Sequence, residues 1–319
     1  MITRRNGLKL SGAALISGAA FGLGGCLSST EINSWEGEAL GAPAFMKLYG
    51  HDGAGAQKIF AGAKLAIERL EKTFSLYDPE SEISRLNRGG ILENASQDII
   101  QVLLAARKIS EQTNGAFDIT VQALWELQTY LTRANVTAEG RQQLWAKAYE
   151  KVDYRYIRIE GRQVSFTKPD VKITLNGIAQ GYISEYLAGV LNVGPKDTGL
   201  IHIGEYQAFG AKSWEIGLQD PRNVLDVFET VALKNAGLAT SSTKGGYFGP
   251  NKSHIFGAQA KMAASNIIST TVIHKSAMIA DGLATAFTLM DDAAISKSAQ
   301  LAQTIQVILM RDDGEIIRF

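Results

Sequence analysis

The 319-residue chain reads as an α+β protein. Three observations predict it. Helical periodicity and antiparallel hairpin patterns both recur along the chain. They are mixed without the regular strand–helix–strand alternation of a parallel sheet. The composition, 45% hydrophobic and 20% charged, is that of an ordinary globular protein. Its length suits one large domain or two intimate lobes. Lys plus Arg and Asp plus Glu both number 32, so no basic excess points to nucleic acid. No internal repeat is found.

Residues 1–26 open with Arg4 and Arg5 and continue through an apolar run, Leu8 to Leu23, without an acidic residue, the layout of an export signal. The arginine pair ahead of a Gly/Ala-rich segment resembles a twin-arginine signal, whose cargo is exported folded. Gly24 and Gly25 before Cys26, the only cysteine, resemble a bacterial lipobox, in which that cysteine is acylated. The plainer reading is an ordinary cleavage site with a cysteine nearby. The apolar run is short and interrupted by glycine against the ~20 residues a span needs, so any anchor would be lipid. A lone cysteine offers no disulfide framework. Without Arg4, Arg5 and Lys9 the chain keeps 29 basic against 32 acidic residues, mildly acidic. Residues 27–40, rich in Ser, Glu and Gly, read as a tether, and 41–319 as the folded domain of an exported, periplasmic protein.

A first strand is expected over 41–50. Ile59, Ala63, Ile67, Leu70 and Phe74 recur at three or four residues and predict a helix with one buried face. It breaks at Asp78 and Pro79, and Ser81 starts a short second helix. Residues 95–113 and 137–150 read as further helices. Alternation over 156–175, around Glu160 and Gly161, reads as a hairpin. A helix over 181–192 follows, then strands near 199–204, 213–219 and 226–234. A strand over 267–274 leads into a helix over 278–287, and two strands around Asp313 and Gly314 close the chain.

The helix MIADGLATAF, 278–287, is almost wholly small or apolar, yet it holds Asp281 and Thr285. Residues four apart share a helix face, so both oxygens point at one place. No Lys or Arg lies within a turn of Asp281. Hard oxygen donors converging there suit Mg²⁺ or Ca²⁺. The other reading is a helix-start Asp with a Thr hydroxyl bonded to the preceding turn. In ITLNGIAQGYISEYL, 173–187, a strand passes through Asn176 and Gly177 into a helix, a turn at which phosphate can approach backbone N–H groups.

Six segments in order carry a family resemblance: LYDPESEISRLNR (76–88), NGAFDITV (114–121), NGIAQGY (176–182), WEIGLQDPR (214–222), LATSS (238–242) and ADGLATA (280–286). Together they resemble the ApbE family, the FAD:protein FMN transferases. The resemblance implies a bilobed α+β fold holding FAD in a cleft, with Mg²⁺ at its pyrophosphate. By position, Asp281, Thr285 and the Gly177 carbonyl, helped by Ala284, would be the metal ligands. Tyr77 would stack on the flavin; an exposed turn aromatic is its plainer reading. Leu40, Ala116, Phe117, Asp118, Thr174, Gln180 and Glu205 would contact the cofactor. His254, in SHIF, falls on the family's HIxDPRTG histidine and would assist proton transfer, while His51, His202 and His274 have no such match and read as structural.

The reaction so implied is attack of a Ser or Thr hydroxyl of a respiratory or envelope partner on the FMN phosphorus, with AMP leaving. The chain departs from the family pattern at several charged positions. Thr174 replaces an Asp, Gln180 a Lys, and Glu205 stands for the acid of GGD. Thr243 replaces the Asp of SGD, Gly257 to Gln259 lose an Asp and an Arg, and Leu40 to Ala42 read LGA for MGT. A noncatalytic FAD-binding lipoprotein or a slow FAD pyrophosphatase are the alternatives this leaves.

Overall fold

A computed structural model describes residues 32–244, 248, 253–258 and 266–319. The export signal and Cys26 lie outside the described residues. The chain opens with β1 (Asn33–Ala39) and β2 (Ala42–Tyr49), then α1 (Gly53–Phe74), α2 (Glu82–Gly89), β3 (Ile91–Leu92) and α3 (Gln97–Gln112). A 3₁₀ turn at Ile119–Val121 leads into α4 (Gln122–Leu131), followed by α5 (Ala138–Tyr149). Next come β4 (Ile157–Glu160), β5 (Gln163–Phe166), α6 (Ala179–Leu191), β6 (Thr198–His202) and β7 (Tyr206–Phe209). A long hairpin, β8 (Trp214–Asp220) and β9 (Asn223–Leu233), precedes β10 (Gly237–Ser242) and β11 (Ile267–His274). The chain ends with α7 (Ala277–Phe287), α8 (Asp292–Ala302), β12 (Gln306–Arg311) and β13 (Ile316–Arg318).

Eight strands form one sheet in the order β1-β2-β6-β7-β10-β11-β12-β13, every neighbouring pair antiparallel. One face carries the main core, where Met46, Ile201 and Ala239 of the sheet meet Leu70 of α1, Ile183 of α6 and Leu283 of α7. The β8–β9 hairpin covers the other face, packing Trp214, Ile216 and Leu233 on Leu200, Leu238 and Ile308. A satellite cluster of Val121, Leu124, Ala148 and Val152 joins α4 to α5 and takes in Phe256. The short sheet β3-β5-β4 stands apart from the main one.

The stretch read as a tether over 27–40 is corrected in its second half. Asn33–Ala39 pairs residue for residue with Leu48–Ala42 and forms the edge strand. Its alternation was masked by Glu36, Gly37 and Glu38, which an edge strand tolerates because one side faces water. The hairpin over 156–175 ends at Phe166; beyond it Pro169 removes a donor and Asp170 takes φ 58°, and the chain runs on as a loop. Helices α4 and α8 and strand β7 had no sequence expectation, and LATSS, which resembles a turn of the family, lies in strand β10.

Candidate active site

Helix α7 is held by its first turn. Ser276 is its N-cap and accepts from the Ile279 N–H at 3.2 Å. Gln207 Oε1 accepts from the Ala277 N–H at 3.0 Å, and Glu185 takes the Met278 N–H at 3.3 Å together with the Ser276 hydroxyl. With three orphan donors satisfied, the helix has one fixed position against β10 and α6. Its second turn then presents Asp281 to α6, whose Gly181 N–H donates to Asp281 Oδ2 at 3.1 Å. A methyl group at Gly181 would stand 2.3 Å from the Ala277 carbonyl oxygen, so only glycine allows the two helices to approach this closely.

Glu205, in the tight turn between β6 and β7, joins Asp281 in the interior. Its Oε2 accepts from the Thr240 N–H at 3.1 Å, and its backbone carbonyl accepts from the Ser184 hydroxyl at 2.6 Å. The preceding Gly204 has φ +86°, and a Cβ there would lie 2.5 Å from the Gln180 side chain. Burial pushes the Asp281 carboxyl up to about 7, against the lowering effect of its Gly181 bond. Burial also pushes Glu205 well up, and the Asp281 charge adds to it. Among the described residues neither carboxylate has an ion-pair partner. One N–H each does not repay the loss of hydration of two like charges.

Thr285, one turn beyond Asp281, lies close to Gly177, where a Cβ would be 2.7 Å from Thr285 Oγ1. Its hydroxyl shares a hydrogen bond with Ser241 at 3.1 Å. Asp281, Thr285, Gly177, Gln180 and Glu205 are therefore brought together from three stretches of sequence. Ala284 is placed differently: its carbonyl already accepts from the Thr288 hydroxyl at 2.8 Å and the Thr288 N–H at 3.3 Å. Gln180 keeps its side-chain nitrogen buried without a partner among the described residues.

The segment that delivers Gly177 is itself clamped. Asn87 donates to the Ile173 carbonyl at 2.8 Å and accepts from the Ile173 N–H at 2.7 Å, imitating a strand partner. Thr174 donates its N–H to the Ile119 carbonyl at 2.8 Å. Beside this segment opens a cleft of about 840 Å³ lined by Leu76, Asn87, Gln122, Glu126 and Lys172. Tyr77, next to Leu76, is 67% exposed, an aromatic ring held out in a turn.

Ala116 and Phe117 are buried in the main core. Asp118 is likewise buried, its carboxylate receiving the Thr120 N–H at 2.8 Å, the Thr120 hydroxyl at 2.6 Å and the Tyr154 N–H at 2.8 Å. Burial still pushes it up to about 6. Its visible work is to cap the turn into α4 and tie it to Tyr154. Leu40 occupies the β1–β2 turn at φ 50°, its N–H donated to Glu71 at 2.7 Å.

His254 sits against α4, where the Trp125 indole donates to its carbonyl at 3.0 Å. Its imidazole is pushed down by burial, and Nδ1 has no partner among the described residues. The other histidines contact neighbouring side chains and backbone. His202 stacks on Phe45 at 5.2 Å, and burial pushes it down to about 4. His274 accepts from the Ser276 N–H at 2.9 Å, and His51 faces Asp197 at 3.0 Å. Sequence reasoning singled out Asp281 and Thr285 but missed Ser241 as their neighbour, although LATSS carried it; Thr243 is half-buried and Gln259 lies outside the described residues.

Known proteins bear on this arrangement. The chain is 25% identical to the FAD:protein FMN transferase of Haemophilus influenzae, over 97% of this chain and 96% of that one. It is 26% identical to the enzyme of the same name from Vibrio cholerae, over 92% of each. Among solved structures, the flavin transferase ApbE from Vibrio cholerae superposes with a TM-score of 0.74 at 22% identity, over 91% of this chain and 97% of that one. The ApbE protein from Thermotoga maritima gives 0.79 at 23% identity, over 90% and 97%. These likenesses establish the mixed helix-and-sheet fold. The model of the ApbE family matches residues 40–309, and the chain belongs to that family.

Proposed function

We propose that this protein is an FAD:protein FMN transferase, moving FMN from FAD to a Ser or Thr hydroxyl of a partner protein and releasing AMP. The observation that carries the reading is the buried pair Asp281 and Glu205 beside Thr285 and Gly177, without a counter-ion among the described residues. Two like charges so placed fit a hard divalent cation, and the donor set is wholly oxygen. Among the described residues no three His, Cys, Asp or Glu side chains converge. Asp281, the Thr285 hydroxyl and the Gly177 carbonyl would hold Mg²⁺, and nucleotide phosphate oxygens would complete the shell. When bound, the ion supplies neutralisation of diphosphate charge.

The chain's own residues do the rest. The positive end of the α6 dipole would favour an anion, with the Ala179 and Gly181 N–H groups already bonded to the Leu175 carbonyl and Asp281. Tyr77, exposed beside the cleft, would stack on the isoalloxazine ring. The acceptor oxygen forms a bond to the FMN phosphorus as the bond from that phosphorus to the AMP oxygen breaks. His254, kept neutral by burial, is suited to take the acceptor's proton. The leader and Cys26 support export to the periplasm and a lipid anchor, with the acceptor an envelope or respiratory protein.

Incubation of the purified protein with FAD, Mg²⁺ and candidate acceptor proteins tests the reading. A mass gain of one FMN on a Ser or Thr, with one AMP released per transfer, is expected. Retained FAD without transfer to any acceptor would support a noncatalytic flavin-binding protein instead, a reading favoured by the residues missing around His254. AMP and FMN released without acceptor would indicate a pyrophosphatase.

A further inference from the structure

Several helix hydroxyls of this protein bond backwards, while Ser84, Ser184 and Ser298 donate to carbonyls outside their helices. Thr73, Ser110, Thr113 and Thr288 each donate to the carbonyl four residues earlier, at 3.4, 2.8, 2.7 and 2.8 Å, the usual outlet for a hydroxyl in a helix. Thr285 pairs instead with a side-chain hydroxyl. Among the described residues its hydroxyl bond runs out of α7 altogether, to Ser241 on β10 at 3.1 Å.

The strand explains how Ser241 arrives there. Alternation puts Ala239, a main-core residue, and Ser241 on the face of β10 that carries the helices. Thr240 points the other way and meets Thr271 at 2.9 Å. The Thr240 N–H meanwhile donates to Glu205. Two successive residues of β10 thus reach the site, Thr240 through its backbone to Glu205 and Ser241 through its hydroxyl to Thr285.

We propose that Ser241 is a positioning residue for the cation site: it accepts the Thr285 hydroxyl hydrogen and so turns the Thr285 lone pairs toward the ion. The inference rests on the reading of Asp281 and Thr285 as ligands. A hydroxyl that coordinates a cation through its oxygen must send its hydrogen elsewhere. Bonded to its own helix, Thr285 would have its orientation set by the backbone. Bonded to Ser241, it is set by a side chain of another element, as outer partners set the orientation of metal ligands generally. Ser241 itself does not touch the ion.

The test is calorimetric titration of Mg²⁺ into the FAD-saturated full-length protein, with the melting temperature measured separately without metal. Ser241→Ala is expected to weaken Mg²⁺ binding about 10- to 100-fold, the range for lost outer partners, while Ser241→Thr, which restores the acceptor, binds within about threefold of the parent. Neither substitution is expected to move the metal-free melting temperature. If Ser241→Ala binds Mg²⁺ as the parent does while Asp281→Ala loses it, the role of Ser241 is overturned and the ligand assignment stands. If Asp281→Ala binds as the parent does, the ligand assignment fails and this inference falls with it. A Ser241→Thr variant as weak as Ser241→Ala also overturns it, because packing rather than the hydroxyl would then be at work.

Discussion

Helices α6 and α7 lie side by side, yet one start is sealed by side chains and the other by backbone and by a carboxylate of its neighbour. At α7 the first three N–H groups, those of Ala277, Met278 and Ile279, are all taken by side chains: Gln207, Glu185 and Ser276. At α6 the N-cap is Ile178, which has no side-chain oxygen to offer, and the Gly181 N–H goes to Asp281 of the neighbouring helix. The sealed start makes α7 a rigid mount for Asp281 and Thr285. At α6 the Ala179 N–H bonds the Leu175 carbonyl at 2.8 Å, so the positive end of that helix faces the Asp281 carboxylate mainly through Gly181. Even so, that one N–H leaves the Asp281 carboxyl far above its ordinary value. Two buried carboxyls without a counter-ion among the described residues are what motivates the proposed cation.

Closing the gap between the helices is the strongest way to break this contrast. Gly181→Ala would drive a methyl group into the Ala277 carbonyl at 2.3 Å and the Asp281 Cβ at 2.8 Å. Backbone cannot rotate aside, so α6 must shift, at a cost of about 3 kcal/mol in stability. Urea unfolding measures it, and a parental midpoint would mean the two helices leave room for a methyl group at Gly181.

A second perturbation removes the excess charge. For a carboxyl whose pKa is raised on folding, the folded state holds more protons, so stability falls as pH climbs from the ordinary value to the raised one and levels off beyond it. His202 acts oppositely, adding stability from about pH 4 up to the ordinary histidine value, and Asp118 releases its proton near 6. Above pH 7 the Asp281 and Glu205 pair is left to act. Metal-free protein is therefore expected to lose only about 0.4 kcal/mol between pH 7 and 8.5 from Asp281, most of whose loss falls below pH 7, with any further decline coming from Glu205. Asp281→Asn should flatten that decline and abolish stabilisation by Mg²⁺. Thermal unfolding across this pH range, with and without the ion, checks both; a decline as steep in the variant would assign the slope to other groups.

The contrast also shows what the sequence carried. Asp281 and Thr285 were legible because a carboxylate and a hydroxyl four apart in an apolar run violate the pattern of a buried helix. The strand before them, Ile267–His274, was legible to the residue because seven of its eight positions are buried and it is rich in β-branched residues. Helix α4 was not, since only Leu124 and Leu131 are fully buried and its face has no stripe to read. Strand β10 is short and ends in Thr240, Ser241 and Ser242, residues as common in loops as in strands. Glu205 was found by resemblance, but its coupling to Asp281 lies 76 residues away along the chain and exists only once β6, β7 and α7 have packed. The caps of α7 were equally hidden, because Glu185 and Gln207 come from α6 and β7.

The smallest perturbation, Ser276→Ala, separates mounting from binding. Ser276 touches neither Asp281 nor Thr285; it accepts the Ile279 N–H and donates to Glu185. Losing an N-cap hydroxyl costs about 1 kcal/mol. Here Met278 keeps its bond to Glu185 and Ala277 its bond to Gln207, so the helix should stay in register. The expected result is a uniform loss of stability at all pH values, with the decline above pH 7 preserved and Mg²⁺ affinity within about threefold of the parent. That outcome would set it apart from Asp281→Asn, which alters the pH slope, and from Ser241→Ala, which alters the affinity alone. If Mg²⁺ affinity instead fell tenfold with Ser276→Ala, the sealed start would be part of the ion's own geometry, and the two helix ends would differ in degree rather than in role.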